Sequence, residues 1–332
     1  MLFRSETAGF GRIDQSIGER NMDDYLQYAV STSMQLGKFF PEKAQVHLPL
    51  HYAYSRETVS PQYNPLDQDV KLNDALGLLD SKAEKDSLKS LSQQQVTTKS
   101  IALNNVQVNI KSKNPMPYDP ANFSMSYAYN ERKRTDPETV YETTKNYQGN
   151  LSYVYTPYAK PFQPFENIEK NNGYTRYIKQ FALNYLPSNI SFQTSILRNY
   201  YEIQLRNLDL LSSGTNTIPV SFSQQFYWDR SFNIRLNPLN NLSIDFSAGT
   251  NARIEEPHVQ VNKKLNPHAY EVWKDSVKKS IAELGTPLAY DQTFNVTYTL
   301  PLQYIPVLDW MGGSMSYNAT YNRERGSFVD RD

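Results

Sequence analysis

The chain has 332 residues with 25 Tyr and 15 Phe, no cysteine, 34 basic against 34 acidic side chains, and a mean hydropathy of −0.65. The absence of cysteine removes disulfide scaffolds, thiolate metal sites and cysteine nucleophiles, and zero net charge without a basic patch argues against nucleic acid as a partner. No run approaches the roughly 18 apolar residues of a helical span, so a helical membrane protein is excluded, whereas a barrel strand shows no such run because half of it faces water.

In chain order, Met1–Phe10 (MLFRSETAGF) contains no apolar leader core. An exported protein needs one, so the chain is expected to be an internal piece of a longer protein, with Met1 an internal or artificial start. From residue 24 onward, apolar or aromatic residues alternate with small or polar ones in about ten stretches, the period-2 signature of strands with one greasy and one wet face. The first stretch puts Leu26, Tyr28, Val30, Thr32, Met34 and Leu36 on one face and Gln27, Ser31 and Ser33 on the other. After a turn around Pro41-Glu42-Lys43 the second carries Val46, Leu48, Leu50, Tyr52 and Tyr54. A long loop, about 55–95, follows, with a weaker helical spacing (Leu72, Leu76, Leu79, Ala83) over 69–92.

Residues 96–110 carry a phase slip, since Ile101 and Leu103 are odd while Val106, Val108 and Ile110 are even; a bulge near Asn104-Asn105 would explain it. Phe123, Met125, Tyr127 and Tyr129 pair by spacing with Tyr147, Leu151, Tyr153 and Tyr155, across a loop at about 130–144. Phe181–Tyr185 is read as part of an excursion over about 156–188, because a full strand there would make the two ends of the chain disagree on sidedness. Next come Ile190, Phe192, Thr194 and Ile196, with Gln193 and Ser195 opposite, and a loop at about 201–217.

The cleanest pair is a hairpin. Phe226, Trp228, Phe232, Ile234 and Leu236 share one face, with Ser231 and Asn233 opposite; after Asn237–Asn241 the returning face is Leu242, Ile244, Phe246 and Ala248, with Ser243, Asp245 and Ser247 opposite. In the loop at about 252–289, Asn266-Pro267 starts a helix, Tyr270, Trp273, Val277, Ile281 and Leu284 recur at helical spacing, and Gly285 stops it. The last strands hold Phe294, Val296, Tyr298, Leu300 and Leu302, with Asn295 and Thr297 opposite, then Met315, Tyr317, Ala319 and Tyr321, with Ser316 and Asn318 opposite.

The expected fold is all-β: a partial antiparallel transmembrane β-barrel wall, about ten strands of a much larger barrel, with helix-containing long loops. The greasy rows are expected to face lipid and the polar rows a watery lumen. Eleven residues at about 3.3 Å each and about 40° of tilt cover some 28 Å, enough for an apolar band about 25 Å tall. Bacterial barrels keep short turns in the periplasm, so the loops 55–95, 130–144, 201–217 and 252–289 are expected outside and the excursion 156–188 inside. The helices read as lids over the barrel rim.

Three residues fit the wall poorly. Arg230 falls on the lipid-facing parity, which requires a bulge or a partner packed against it. Pro49 and Pro301 each remove a ladder donor, so bulges or ladder gaps are expected there.

Signals of chemistry are sparse. No G-x-S-x-G, H-E-x-x-H, P-loop or complete G-x-G-x-x-G occurs; Gly9-Phe10-Gly11 lacks the third glycine. His47 and His51 would lie roughly 13 Å apart on one strand, too far to share an ion. Asp67 and Asp69 lack the glycine and glutamate of a calcium loop. No catalytic, metal or cofactor residue is expected.

Four stretches carry a resemblance: Asp24–Ser55 (DYLQYAVSTSMQLGKFFPEKAQVHLPLHYAYS), Asn184–Arg206 (NYLPSNISFQTSILRNYYEIQLR), Leu242–Pro257 (LSIDFSAGTNARIEEP) and Ile305–Asn322 (IPVLDWMGGSMSYNATYN). Together they resemble the SprA (Sov) family of Bacteroidetes, over about residues 21–325. The resemblance implies the outer-membrane translocon of the type IX secretion system, also tied to gliding motility: a very large barrel with a lateral opening that passes folded cargo to the cell surface. It implies no active site, and as partners outer-membrane lipid, secreted cargo, and the plug and cargo-shuttle proteins of the same system. Two other readings stand beside it, another large outer-membrane barrel (of the lipopolysaccharide-export or TonB-dependent type) and a secreted β-sandwich binding module; an enzyme is the weakest.

Overall fold

The computed structural model describes residues 2–9, 23–65, 67–110, 116–158, 160–165, 181–207, 218–261, 266–302 and 307–326. In chain order the elements are β1 (Leu2–Gly9), β2 (Asp23–Gln35), β3 (Val46–His47), β4 (Pro49–Pro61), β5 (Tyr63–Asn64), β6 (Asp67–Lys71), α1 (Leu72–Leu78), α2 (Lys82–Ser92) and β7 (Gln94–Val108). They continue as β8 (Phe123–Thr135), β9 (Thr139–Tyr155), β10 (Asn189–Leu205), β11 (Ser221–Leu239), β12 (Leu242–Arg253), α3 (Pro267–Ala282), β13 (Thr286–Leu300) and β14 (Gly313–Glu324).

All strands but β5 and β6 join one twelve-stranded sheet in the order β1-β2-β4-β7-β8-β9-β10-β11-β12-β13-β14, with β3 beside β7. Every pairing is antiparallel, so the chain meanders from one strand to its neighbour. Among the described residues β1 and β14 are the two edges, and the sheet is not closed. The all-β architecture is as expected. β1, however, was not read from the sequence: its only pairing is with β2, and LFRSETAG alternates too weakly to announce a face.

Through the middle of the strands the registers set apolar positions opposite one another, with shifts at the strand ends at Gln204/Leu205, Leu236/Leu239 and Asn251/Ala252. Met34 faces Leu50, Leu50 faces Leu103, and Leu103 faces Tyr127. Phase is kept on β7 by the expected bulge: Leu103 pairs with Tyr127 and Val106 with Met125, three steps against two. Asn105 takes the extra position at φ 50°, where asparagine is among the few tolerant residues, and its N–H donates to Ser126 Oγ at 2.9 Å.

Pro49 has the expected effect, because the strand is interrupted at Leu48 between β3 and β4. Leu36 also lies outside the ladder, in a one-turn 3₁₀ helix (Leu36–Phe39). The two are joined instead by Leu36 N–H donating to the Leu48 carbonyl at 2.8 Å. Gly37 is required beside them, since a Cβ there would stand 2.0 Å from the Val46 carbonyl oxygen. At the other proline β13 simply ends at Leu300, so Pro301 and Leu302 are not strand residues.

Several strands outrun their sequence signal. Residues 130–144, expected as a loop, are mostly the tips of β8 and β9, joined at Asp136-Pro137-Glu138. There Asp136 Oδ1 accepts from the N–H groups of Glu138 and Thr139. Likewise β4 runs to Pro61, β10 to Leu205, β12 to Arg253, and β13 begins at Thr286. In the β8, β9 and β4 tips polar residues stand on both faces, so alternation fades while the backbone ladder continues. Residues 208–217 of the expected 201–217 loop lie outside the described residues. Phe181–Tyr185 forms no strand; Leu183 makes an isolated bridge to Phe162.

Two connections carry helices at one end of the sheet. α3 has the expected limits: the Asn266 side chain accepts from Ala269 N–H at 3.0 Å, and Gly285 at φ 72° closes the helix. The expected 69–92 segment is two helices, α1 and α2, with Ser81 capping the second. No helix among the described residues is long and apolar enough to cross a membrane.

The surface area defines the packing. A compact monomer of 38.3 kDa exposes about 14,000 Å²; this chain exposes 23021 Å². Among the described residues only Leu72, Ala182, Tyr200, Phe226, Ala252, Ile254 and Val277 are buried apolar side chains. Phe226, Ile254 and Val277 form a small core under α3 with Trp228 and Trp273.

Candidate functional surface

Among the described residues the sheet presents two chemically opposite faces. On the apolar face, side chains from the middle of the sheet stay open to solvent: Val30 is 36% exposed, Met125 46%, Leu151 37%, Ile196 37% and Phe232 36%. These strands are interior to the sheet, so their exposure reflects a missing layer over the face. The registers place the residues read as lipid-facing on this one surface. Leu26, Tyr28 and Val30 of β2 neighbour β4 at Thr58, Arg56 and Tyr54. Phe192 faces Phe232, Ile196 faces Trp228, and Ile234 and Leu236 face Phe246 and Ile244. Leu242 faces Tyr298, and Val296 lies between Ile244 and Tyr317.

Aromatic pairs bracket the apolar rows on β8 and β9. Phe123 and Tyr153 stand with ring centroids 4.9 Å apart near one end, and Tyr129 and Tyr147 at the same 4.9 Å near the other. Six residues separate the pairs on each strand, about 20 Å along the strand. One cross-strand row beyond Tyr129 and Tyr147 the same face turns charged, with Lys99, Glu131 and Lys145 in register.

The opposite face gathers the residues read as lumen-facing, and its side chains bond one another across strands. Gln27 Nε2 donates to Glu57 Oε1 at 3.0 Å. Ser33 Oγ and His51 Nδ1 lie 3.0 Å apart, as do Gln35 Nε2 and His47 Nδ1. The two histidines are therefore engaged by separate neighbours. Ser195 faces Asp229 and Gln193 faces Ser231; Asn233 faces Ser247, and Asp245 is paired with Arg235 and accepts from Ser243 Oγ at 3.2 Å. Asn295 lies between Asp245 and Asn318, and Thr297 between Ser243 and Ser316. Ser31 is opposite Ala53. Amides, hydroxyls and small side chains are frequent among these residues. No group of three His, Asp or Glu side chains suited to a metal occurs among the described residues.

Residues 1–76 match the SprA_N family, described as a motility related/secretion protein. The N-terminal part of the chain is thus similar to a secretion and motility family. The matched segment spans β1 to β6 and enters α1. No curated protein matches the chain.

The sequence reading missed a polar cluster buried on the apolar face beneath α3. Arg198 Nε donates to Glu256 Oε1 at 2.8 Å, with side chains 13% and 4% exposed. Trp273 Nε1 from α3 donates to the same oxygen at 2.7 Å, and its ring lies 5.0 Å from the Arg198 guanidinium. Beside it Glu202 accepts from Tyr141 OH at 2.6 Å, Tyr200 OH at 2.5 Å and Gln260 Nε2 at 2.6 Å. The connection 254–261 is thus fastened onto β10 by the Glu256 carboxylate and the Gln260 amide, and α3 onto that connection by the Trp273 indole. At this end of the sheet α3 packs through Trp273 and Val277 on Phe226, Trp228 and Arg198 of the apolar face. It also supplies the partner for Arg230, whose Nη2 donates to the Leu284 carbonyl at 3.0 Å and whose guanidinium stacks 4.6 Å over Trp228. Glu256 and Glu202 pair with residues 58 positions distant, a separation no local pattern reveals.

Proposed function

We propose that this chain is a stretch of the wall of a large outer-membrane β-barrel that carries proteins out of the cell, the translocon of type IX secretion and gliding motility. The observation that carries it is the continuous apolar face, held in register across the sheet and open on interior strands. Soluble proteins rarely leave a contiguous apolar area beyond a few hundred Å² uncovered. Lipid covers such a face without a second protein layer, and the meander of antiparallel neighbours is the topology of membrane barrels. The family description, motility related/secretion protein, supports the direction of transport.

The work of such a wall is passive and non-enzymatic. The apolar rows hold it in lipid, and the Ser, Asn, Gln and Thr rows offer a hydrated surface that does not grip passing cargo. Cargo proteins, outer-membrane lipid and the other components of the secretion machinery are the partners this reading implies. The β-sandwich alternative needs a second sheet over the apolar face, and the only other sheet among the described residues is the two-stranded β5–β6.

Single cysteines in the full-length protein test the facing. A water-soluble maleimide applied to membranes is expected to reach Ser243→Cys and Asp245→Cys and to spare Ile244→Cys and Phe246→Cys. Equal labelling of the four positions would sink the wall reading.

A further inference from the structure

The apolar face ends abruptly on β4 and β7–β9, and the chemistry beyond its edge is cationic. The last aromatic row runs Tyr52, Ile101, Tyr129 and Tyr147 in register. The next row outward on the same face is Tyr54, Lys99, Glu131 and Lys145, and the one after is Arg56, Thr97, Lys133 and Thr143. Four cations therefore stand against one carboxylate in these two rows. Glu131 is sunk to 11% side-chain exposure, while Lys99 and Lys133 remain 44% and 54% exposed. Its two oxygens lie 3.9 Å from Lys99 Nζ and 3.3 Å from Lys133 Nζ, so it holds the two ammonium groups side by side without covering them. Lys145 Nζ is placed over the Tyr200 ring at 5.9 Å. The neighbouring cation Arg198 is excluded from this patch because Glu256 and Trp273 cover it.

We propose that Lys99, Lys133 and Lys145 form a docking site for the phosphate headgroup of an anionic membrane lipid, with Arg56 at its edge. The inference rests on the wall reading above. Tyrosines at a membrane boundary mark the headgroup level, and lysines one row beyond them meet the phosphates of lipids whose chains lie along Leu103, Met125 and Leu151. Charge complementarity selects the occupant: two open ammonium groups on a single buried carboxylate, with the half-buried Lys145 in register beside them, suit a phosphate monoester and give a zwitterionic headgroup no advantage. Because the patch is on the apolar side of the sheet, cargo moving along the polar side does not meet it. The lipid would fix the strands laterally beside the α3-covered segment.

Native mass spectrometry of the full-length protein in mild detergent tests this with dioctanoyl phosphatidic acid against dioctanoyl phosphatidylcholine. Wild-type protein is expected to retain phosphatidic acid preferentially. The triple variant K99Q/K133Q/K145Q is expected to lose that preference, on the order of 10-fold or more given that each lysine near a membrane surface contributes about fivefold, while keeping phosphatidylcholine binding and heat-modifiable migration. A preference that survives in the triple variant would overturn the assignment. So would displacement of the lipid by inorganic phosphate at equal concentration, which would mark a free-anion site instead. Protein that stays monodisperse without detergent and binds neither lipid would refute the wall reading itself, a result distinct from loss of headgroup preference alone.

Discussion

Arg230 shows how one residue can break a pattern and still belong to it. It sits on the apolar parity of β11, where a midplane arginine facing lipid costs about 2–4 kcal/mol. The cost is avoided because its guanidinium lies on Trp228 and donates to the Leu284 carbonyl. Trp228 in turn places its indole N–H on Thr194 Oγ1 at 2.6 Å, while Arg230 Nε is buried without a hydrogen-bond partner. The Arg198–Glu256 pair follows the same rule more severely, since both groups are nearly buried. Glu256→Ala would strand a buried guanidinium, and breaking such a pair costs about 3–5 kcal/mol. The loss is expected to be local: amide hydrogens of α3 should exchange faster in the full-length variant while those of β12 keep their protection. The double variant R198M/E256A should recover much of it. Unchanged exchange in Glu256→Ala would mean that the pair does not fasten the helix.

Among the elements, β7 displays most clearly how register is kept. Its apolar positions change from odd to even, and only an extra residue at Asn105 lets Val106 share a face with Leu103. A β-branched residue in this left-handed conformation costs about 1–2 kcal/mol, whereas asparagine and glycine adopt it readily. Asn105→Val is therefore expected to lower the melting temperature of the full-length protein in detergent, and Asn105→Gly to leave it near wild type. An equal shift for both would argue against the bulge.

The connections bear on sidedness. Both helical connections, 62–93 and 254–285, leave from the same end of the sheet, and the tight turn at Asn240-Asn241 is at the other. With long loops outside, an epitope inserted near the exposed Lys278 on α3 should be stained on intact cells, and one near Leu239 only after permeabilisation. The reverse pattern would invert the topology. The excursion between Tyr155 and Asn189 leaves from the Asn240 end.

At the scale of the whole molecule the sheet lacks both closure and cover. β1 and β14 each present an unpaired edge among the described residues, and open edges template pairing with other chains. Among the described residues the apolar face has α3 over one part and nothing comparable over Met34, Met125 or Leu151. Lipid alone does not resolve this, because each unsatisfied backbone group in hydrocarbon costs several kcal/mol. Expressed by itself, the 332-residue chain is expected to aggregate or to require detergent without a cooperative transition in differential scanning calorimetry. A monodisperse monomer in plain buffer with a sharp melt would mean that the greasy faces pack on each other, as in a sandwich.

Much of this was legible in the residues. Period-2 alternation assigned ten of the strands and their faces, because a side chain's face depends only on its place along one strand. The bulge at Asn104-Asn105, the Asn266 and Gly285 limits of α3 and the interruption before Pro49 were equally local, each set by backbone conformation or a missing donor. Tertiary structure alone decided the rest. β1 exists by pairing with β2, and the tips of β8 and β9 persist where alternation fades because their ladder bonds come from the neighbouring strand. The Arg198–Glu256 pair, two of the three donors on Glu202 (Tyr141 and Gln260) and the partner of Arg230 join residues some 54 to 61 positions apart. A hydrogen bond made across strands leaves no mark in the spacing of either strand, so only the assembled sheet reveals which charge is met and by what.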